Sequence, residues 1–443
     1  MKKLIKLTAL LLMLVLTVGM VCGCASTDGE EEEKVLAELT VGLPYNSESA
    51  NWAALQAMID DFEMMNDAVV TLVEVPAVGT EEYTKFIDKV YDGKVDIFLS
   101  SSNEEIQRLV EDKKIAPLTS INSKDNRFYE LMIENYKDLS RESNRLSYSV
   151  PFSGSFQGLF LNKDVFTQTG VAMPTDWATL NAAIVALKEK GVTPIAAGFA
   201  DGAGYWLDEM VLLEGGTAEH SAIPSKGVIN SWSRAVNNIK NFYNAGAFSA
   251  NALTNTHDVA VAEFINDQAA MIVCSSMDLG SSADAENTVF MPFPKSTTGI
   301  KENGAYIGKT ESAFYINQKS LSRNVDDTTA LSGVMVELVN TYMGSADYYP
   351  DLFAADGQFP FIKDGSDAMN GAYEEGAYEI IQSAEAADVT MGTYLLTFEE
   401  MKSGLIDVLN GDITVDEYLS EATAAEIKAQ AEKKAEELED KEK

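Results

Sequence analysis

Between Leu39 and Leu99 the hydrophobic pattern switches repeatedly between two periods, and this alternation restricts the fold more than any other feature of the chain. Leu39-Thr-Val-Gly-Leu43 reads as a short buried strand, and Pro44 to Ser47 as the loop that ends it. Trp52, Leu55, Met58, Ile59, Phe62 and Met65 then recur at helical spacing, which gathers them on one face and leaves Asp60, Asp61 and Glu63 largely off it. Val69 to Val75 is a β-branched strand, Tyr83, Phe86, Ile87 and Val90 mark a second amphipathic helix, and Val95-Asp-Ile-Phe-Leu99 a third strand. Strand, helix, strand, helix, strand implies a parallel sheet with right-handed crossovers. The pattern resumes later: Trp177, Leu180, Ile184 and Leu187 form a helix, Thr193 to Ala197 a strand, and Phe264 to Val273 a strand entered from a helix. The expected class is therefore α/β throughout.

A chain of 443 residues exceeds what one core usually supports, so two lobes are expected. The N-terminus carries Met1, Lys2, Lys3 and Lys6 ahead of a run from Leu7 to Val21 that is apolar apart from Thr8 and Thr17, the pattern of a secretory signal. A permanent bilayer span needs about twenty apolar residues, and this run is nearer to about fifteen. Val21, Cys22, Gly23 and Cys24 follow and look like a bacterial lipobox, which makes residues 1–23 the signal peptide and Cys24 the lipidated first residue of the mature chain. Acyl chains there would hold the protein to the outer face of the cell membrane without spanning it. Residues 24–36, with Glu30 to Glu33 in a row, are too polar to order themselves and read as a tether.

With the signal removed, Cys24 and Cys274 are the remaining thiols and the lipid consumes the first, so no intramolecular disulfide staples the fold. Cys274 ends an apolar strand and reads as buried and inert. The formal net charge of −36 disfavours nucleic acid and anionic lipid as partners, and suits a soluble exposed protein. Beyond about Ala424 the chain is Ala, Glu and Lys with no sustained apolar heptad, which predicts an exposed charged helix over residues 426–443 and not a coiled coil.

In a parallel sheet, ligands sit beyond the carboxyl ends of the strands, where Tyr45, Asn46 and Ser101 fall. Asn103 before Glu104 is a plausible helix N-cap, as are Thr175 or Asp176 after Pro174. Chemistry-bearing motifs are otherwise scarce. His220 and His257 are the two histidines, so a Ser-His-Asp triad or a His-rich zinc site has little to draw on. Neither G-x-S-x-G nor H-E-x-x-H nor a P-loop occurs, and Gly202-Ala-Gly204 lacks the third glycine of a dinucleotide fingerprint. A secreted glycosidase, which needs two carboxylates, is the enzymatic alternative. No cofactor or metal is expected.

From Val150 to Leu180 the chain runs V-P-F-S-G-S-F-Q-G-L-F-L-N-K-D-V-F-T-Q-T-G-V-A-M-P-T-D-W-A-T-L. Further on come Thr193-Pro-Ile-Ala-Ala-Gly198, Ala262-Glu-Phe-Ile-Asn-Asp-Gln-Ala-Ala-Met271, Met291-Pro-Phe-Pro294 and Ile413-Thr-Val-Asp-Glu-Tyr-Leu419. In this order the fragments resemble the family 1 extracellular solute-binding proteins, the group that includes maltose-binding protein. The resemblance implies a two-lobed, type II periplasmic-binding-protein-like fold with a ligand cleft between lobes and hinge crossovers. Lobe 1 would comprise residues 37–151 and 295–344, and lobe 2 residues 152–294 and 345–425. Pro151 to Gly154 would be one crossing and Phe290 to Pro294 another. The implied function is capture of a small ligand, a mono- or oligosaccharide, by a monomer that delivers it to the permease subunits of an ABC transporter. A ligand sensor for a signalling receptor is an alternative on the same fold.

Sugar sites pair polar side chains with aromatic platforms. Asp201-Gly-Ala-Gly-Tyr-Trp206 reads as a glycine-rich break after a strand, which makes Asp201 and Trp206 candidates. Tyr45, Phe156 and Tyr306 are further aromatic candidates, while Trp52 and Trp232 sit in helical patterns and are assigned to the core. The resemblance adds Ser153, Ser155 and Ser276 as polar contacts. It also marks a departure: Cys274-Ser-Ser-Met277 stands where sugar-binding relatives commonly carry a Trp.

Overall fold

Three short parallel strands begin the structure: β1 (Ala37–Leu43) lies between β2 (Ala68–Glu74) and β3 (Ile97–Ser100), with Leu39 opposite Val70 and Val41 opposite Ile97. This is a computed structural model, and it describes residues 36–118, 148–220, 222, 224, 229–279, 287–299, 305–325, 331–344, 358–360, 386–387, 391 and 395–441. The signal segment, Cys24 and the acidic tether lie outside the described residues. Helices α1 (Ala50–Met65), α2 (Glu81–Asp92) and α3 (Glu104–Glu111) connect or follow these strands. Each starts at a side-chain cap: Ser49 accepts from the Trp52 amide, Thr80 from Tyr83, and Asn103 from Ile106.

The next strand, β4 (Ser149–Asn162), is the longest, and α4 (Lys163–Thr169), α5 (Trp177–Glu189), β5 (Thr193–Ala196) and α6 (Phe199–His220) follow it. Of the two cap candidates after Pro174, Asp176 is the one that caps α5, through a reciprocal box with Thr179. Next come α7 (Ile229–Ala245), α8 (His257–Ile265), β6 (Ala269–Ser275), α9 (Ser276–Leu279), β7 (Thr288–Met291) and β8 (Tyr306–Ile316). The described chain closes with α10 (Leu331–Gly344), β9 (Phe359–Pro360), β10 (Ala386–Ala387), α11 (Phe398–Asn410) and α12 (Val415–Lys441).

The strands follow one path, β2-β1-β3-β8-β4-β6-β5, and the two long strands at its centre belong to both halves. Residues Ile97 to Ser100 of β3 pair with Ile316 to Ala313 of β8, while Gln157 to Leu161 of β4 pair with Ser275 to Met271 of β6. Between these regions β4 and β8 pair with each other, and their register slips on either side of Ser153. Pro151 stands at this irregularity, where its missing N–H is tolerated. The second crossing is thus β8. The segment from Phe290 to Pro294 does not make it, because β7 pairs with Leu159 to Asn162 at the far end of β4.

Burial follows the pleat. Leu39, Val41, Leu55, Phe62, Ile97, Phe314 and Met335 form one apolar cluster, and Tyr83, Phe86, Phe98, Ala313 and Tyr315 form another. Alternate residues of β3 and β8 thus enter different clusters, as a period of two requires. The other half is built on Leu159, Leu161, Leu180, Ile195, Trp232, Phe242, Met271 and Leu405. β4 feeds both halves, with Val150 and Phe152 in the first and Leu159 and Leu161 in the second. Strand and helix positions agree with the sequence reading from Leu39 to Leu99 and at α5 and β5, whereas the strand expected from Phe264 begins only at Ala269, because Phe264 belongs to α8. The terminal helix starts earlier than residue 426: Tyr418, Leu419 and Ala422 are core, and Glu426 is buried.

Candidate functional site

Where β4 and β8 run side by side they wall a cavity of about 300 Å³. β4 contributes Ser155, Phe156 and Gln157, and β8 contributes Ile307, Lys309 and Glu311. The pairing of Ser155 with Lys309 and of Gln157 with Ile307 brings these six to one place. The remaining lining comes from the second half: Tyr205 of α6, Ser275 at the end of β6, and Met277 and Asp278 of α9.

Hydrogen bonds fix most of these groups. The Ser155 hydroxyl donates to Glu311 at 2.5 Å, and the Lys309 ammonium to the other oxygen of the same carboxylate at 3.0 Å. The Gln157 amide donates to the Tyr205 carbonyl oxygen at 3.1 Å. Asp278 accepts from the Ser275 amide at 2.8 Å and lies 3.1 Å from His257 Nε2. The His257 ring lies parallel to the Tyr205 ring, with centroids 4.3 Å apart.

The electrostatics follow from these contacts. Burial pushes the Asp278 carboxyl up, but the bonds and charge of His257, the Ser275 amide and the Tyr205 hydroxyl outweigh it and hold the carboxyl below its ordinary range. Burial, and then the Asp278 charge, push the Tyr205 hydroxyl up, so it stays a neutral donor. The cavity therefore offers an anchored carboxylate, a second carboxylate tied to a lysine, amide and hydroxyl groups, and a locked aromatic ring. Such a set recognises a small molecule with many hydroxyl groups by its edges and its face. Among the described residues no group of three or more metal-ligating side chains occurs.

Ser155 and Phe156, both singled out in the sequence, line this cavity. The Ser276 hydroxyl accepts from the Phe156 amide at 3.3 Å and so ties α9 to β4. Ser153 is buried on β4 nearer the register slip, 2.6 Å from the Ser312 hydroxyl. Tyr45 and Asn46 follow β1, where Tyr45 packs against the first apolar cluster and Asn46 accepts from the Glu48 amide. Ser101 follows β3 and is half-buried.

Two aromatic assignments need correction. Asp201 to Trp206 is not a loop but the first turns of α6, and Trp206 is 2 % exposed, packed between Phe248 at 4.8 Å and Phe293 at 6.1 Å. It is a core residue. Tyr306 begins β8 fully buried, edge-on to Phe290 at 6.4 Å. Asp201 is exposed, and its carboxylate accepts from the His257 amide at 2.6 Å.

Sequence reasoning missed every other lining residue, among them Tyr205, Asp278, Gln157, Lys309 and Glu311. Tyr205 was adjacent to the residue chosen, and on a helix one position turns the side chain by about 100°. For Lys309 and Glu311 the signal was the alternation of β8 beside β4, which shows only once the two strands are paired.

An α/β chain in two lobes, with a polar cavity on its shared strands, has the architecture of a solute-binding protein. The chain belongs to the bacterial extracellular solute-binding proteins, whose family model matches residues 46–320, and the family places it outside the cytoplasm. The multiple sugar-binding protein of Streptococcus mutans is 24 % identical over 182 residues, which span 41 % of this chain and 40 % of that relative. Among solved structures, a probable secreted solute-binding lipoprotein from Streptomyces coelicolor has a TM-score of 0.69 at 14 % identity, covering 88 % of this chain and 98 % of that one. The bacterial solute receptor AcbH, which has an exclusive substrate preference for β-D-galactopyranose, has a TM-score of 0.66 at 15 % identity, covering 89 % and 98 %. These relatives are binding proteins and not enzymes.

Proposed function

We propose that this protein captures a small carbohydrate in the cavity on β4 and β8 and delivers it to the permease subunits of an ABC transporter, without acting on it chemically. The observation that carries this reading is the cavity itself, which sets the Tyr205 ring beside Ser155, Gln157, Asp278, Lys309 and Glu311. Its volume of about 300 Å³ suits one or two sugar rings. Sugar-binding relatives on the same fold support the ligand class. In this reading Ser155, Phe156, Tyr205 and Asp278 hold the ligand from one side. Tyr45, Asn46 and Ser101, beyond the carboxyl ends of β1 and β3, close on it from the other, as crevice sites in α/β sheets do. Two lobes divided on β4 near Ser153 and on β8 near Ser312, and not at residue 294, would turn about these strands.

Calorimetry of residues 25–443 against D-galactose, xylotriose, raffinose and chitobiose tests the reading. Saturable binding with a smaller radius of gyration by X-ray scattering is expected for at least one. Absence of binding across these and other neutral glycans would overturn it.

Anchoring at the membrane through a lipid on Cys24 completes the proposal. Among the described residues no helix is long and apolar enough to cross a membrane. Labelling with a fatty-acid probe should mark the wild type, and Cys24→Ala should release an unlabelled protein into the medium. Persistent labelling of that variant would remove the anchor.

A further inference from the structure

We infer that His257 is a positioning residue for the cavity: from one layer behind the wall it fixes the Tyr205 ring and the Asp278 carboxylate relative to each other. The inference rests on the proposed ligand cavity and adds a residue that does not line it.

Three contacts close a triangle. The imidazole stacks on Tyr205 with centroids 4.3 Å apart and planes 22° from parallel. Its Nε2 lies 3.1 Å from Asp278 Oδ2. The Tyr205 hydroxyl in turn bonds the Asp278 carboxylate. A tyrosine held only by its hydroxyl still swings about that point, and one held only by a stacked neighbour still slides. Held by both, the ring has one position, and the carboxylate that takes both bonds has one as well.

The imidazole is itself clamped. Its own backbone N–H donates to Asp201 at 2.6 Å, which ties the start of α8 to the first turn of α6. α6 passes so close that a Cβ at Gly202 would lie 2.9 Å from His257 Nδ1. Position 202 must therefore be glycine for the histidine to lie under Tyr205. The His257 side chain is 13 % exposed, so its bond to Asp278 is largely shielded from water.

The charged and titratable groups on the histidine are Asp201, Tyr205 and Asp278, with Asp258 beside it on α8, while Asp208 of α6 and the Cys274 thiol of β6 act on its partners Tyr205 and Asp278. Carboxylates dominate this set. A histidine that donates to Asp278 keeps that carboxylate ionised and turned to accept ligand hydroxyls.

Three variants separate the two contacts. His257→Phe keeps a ring under Tyr205 and loses the donor, His257→Gln keeps a donor and loses the ring, and His257→Ala loses both. In the free protein, carboxyl-carbon NMR, with Asp278→Asn to assign the signal, should show the Asp278 titration moving up in the Phe and Ala variants and partly restored in Gln. Melting curves verify that each variant is folded. With D-galactose and xylotriose as probes, affinity for whichever binds should fall about tenfold in His257→Ala, with Gln and Phe each recovering part. An unchanged Asp278 titration, or unchanged probe affinity in folded His257→Ala, would overturn the positioning role. If neither sugar binds the wild type, the carbohydrate reading is what suffers, and the titration in the free protein still decides whether His257 holds Asp278.

Discussion

The hydroxyls of Ser153 and Ser312 lie 2.6 Å apart across β4 and β8, at the register slip between the strands that both lobes share. Ser153 also donates to Gln358, just before β9 joins β4. Both serines are buried, so removing one hydroxyl forfeits a hydrogen bond that water does not replace. Ser312→Ala should lower stability by about 0.5–1.5 kcal/mol in denaturant unfolding, a typical net value for such a bond. An effect within error would mean that the pair does not tie these strands in solution.

Trp206 and Tyr205 are neighbours on α6 with opposite duties, and substitution separates them. Trp206→Ala opens a hole among Phe199, Phe242, Phe248 and Phe293 and should cost about 3–5 kcal/mol, read as a large fall in melting temperature. Ligand affinity in the folded fraction should be kept. Normal stability with lost affinity would return Trp206 to the site.

That pair also shows how far the sequence was legible. The hydrophobic periods between Leu39 and Leu99 and the cap at Thr175 or Asp176, which proves to be Asp176, read correctly because each depends on near neighbours in the chain. The glycines at 202 and 204 misled because glycine serves two needs. Here they do not break a helix but let it pass close to His257 and to the Phe398 ring. No local pattern separates a turn glycine from a close-approach glycine. Ser155 was singled out through the resemblance to family members and Phe156 as an aromatic beside a loop signal, whereas Lys309 and Glu311 become neighbours of Ser155 only through pairing across more than a hundred and fifty residues.

Glu426 makes a pH-dependent contribution to stability. It is buried on α12 and accepts from the amides of Leu396 and Thr397, the Thr397 hydroxyl and the Gln430 side chain, closing the start of α11. Burial pushes its carboxyl up, but these bonds prevail and hold it below the ordinary glutamate range. A carboxyl lowered on folding stabilises fully above its unfolded value, about 4.3, and the gain disappears as pH falls through the folded value. Glu426→Gln places an amide nitrogen against these donors and should cost about 1–3 kcal/mol at pH 7. Unfolding curves of the two proteins should converge below about pH 4. A constant gap down to pH 3 would contradict the assignment.

The most direct test of the account is calorimetry of the wild type and Tyr205→Ala against the neutral glycan that the wild type binds. Tyr205 lines the cavity, and loss of a stacking ring should cost about 1–3 kcal/mol of affinity, by analogy with aromatic stacking on planar bases. The dissociation constant of the variant should rise about 5- to 150-fold, with a cooperative melting curve showing that the variant is still folded. Equal affinity in the two proteins would place the ligand elsewhere and contradict the account.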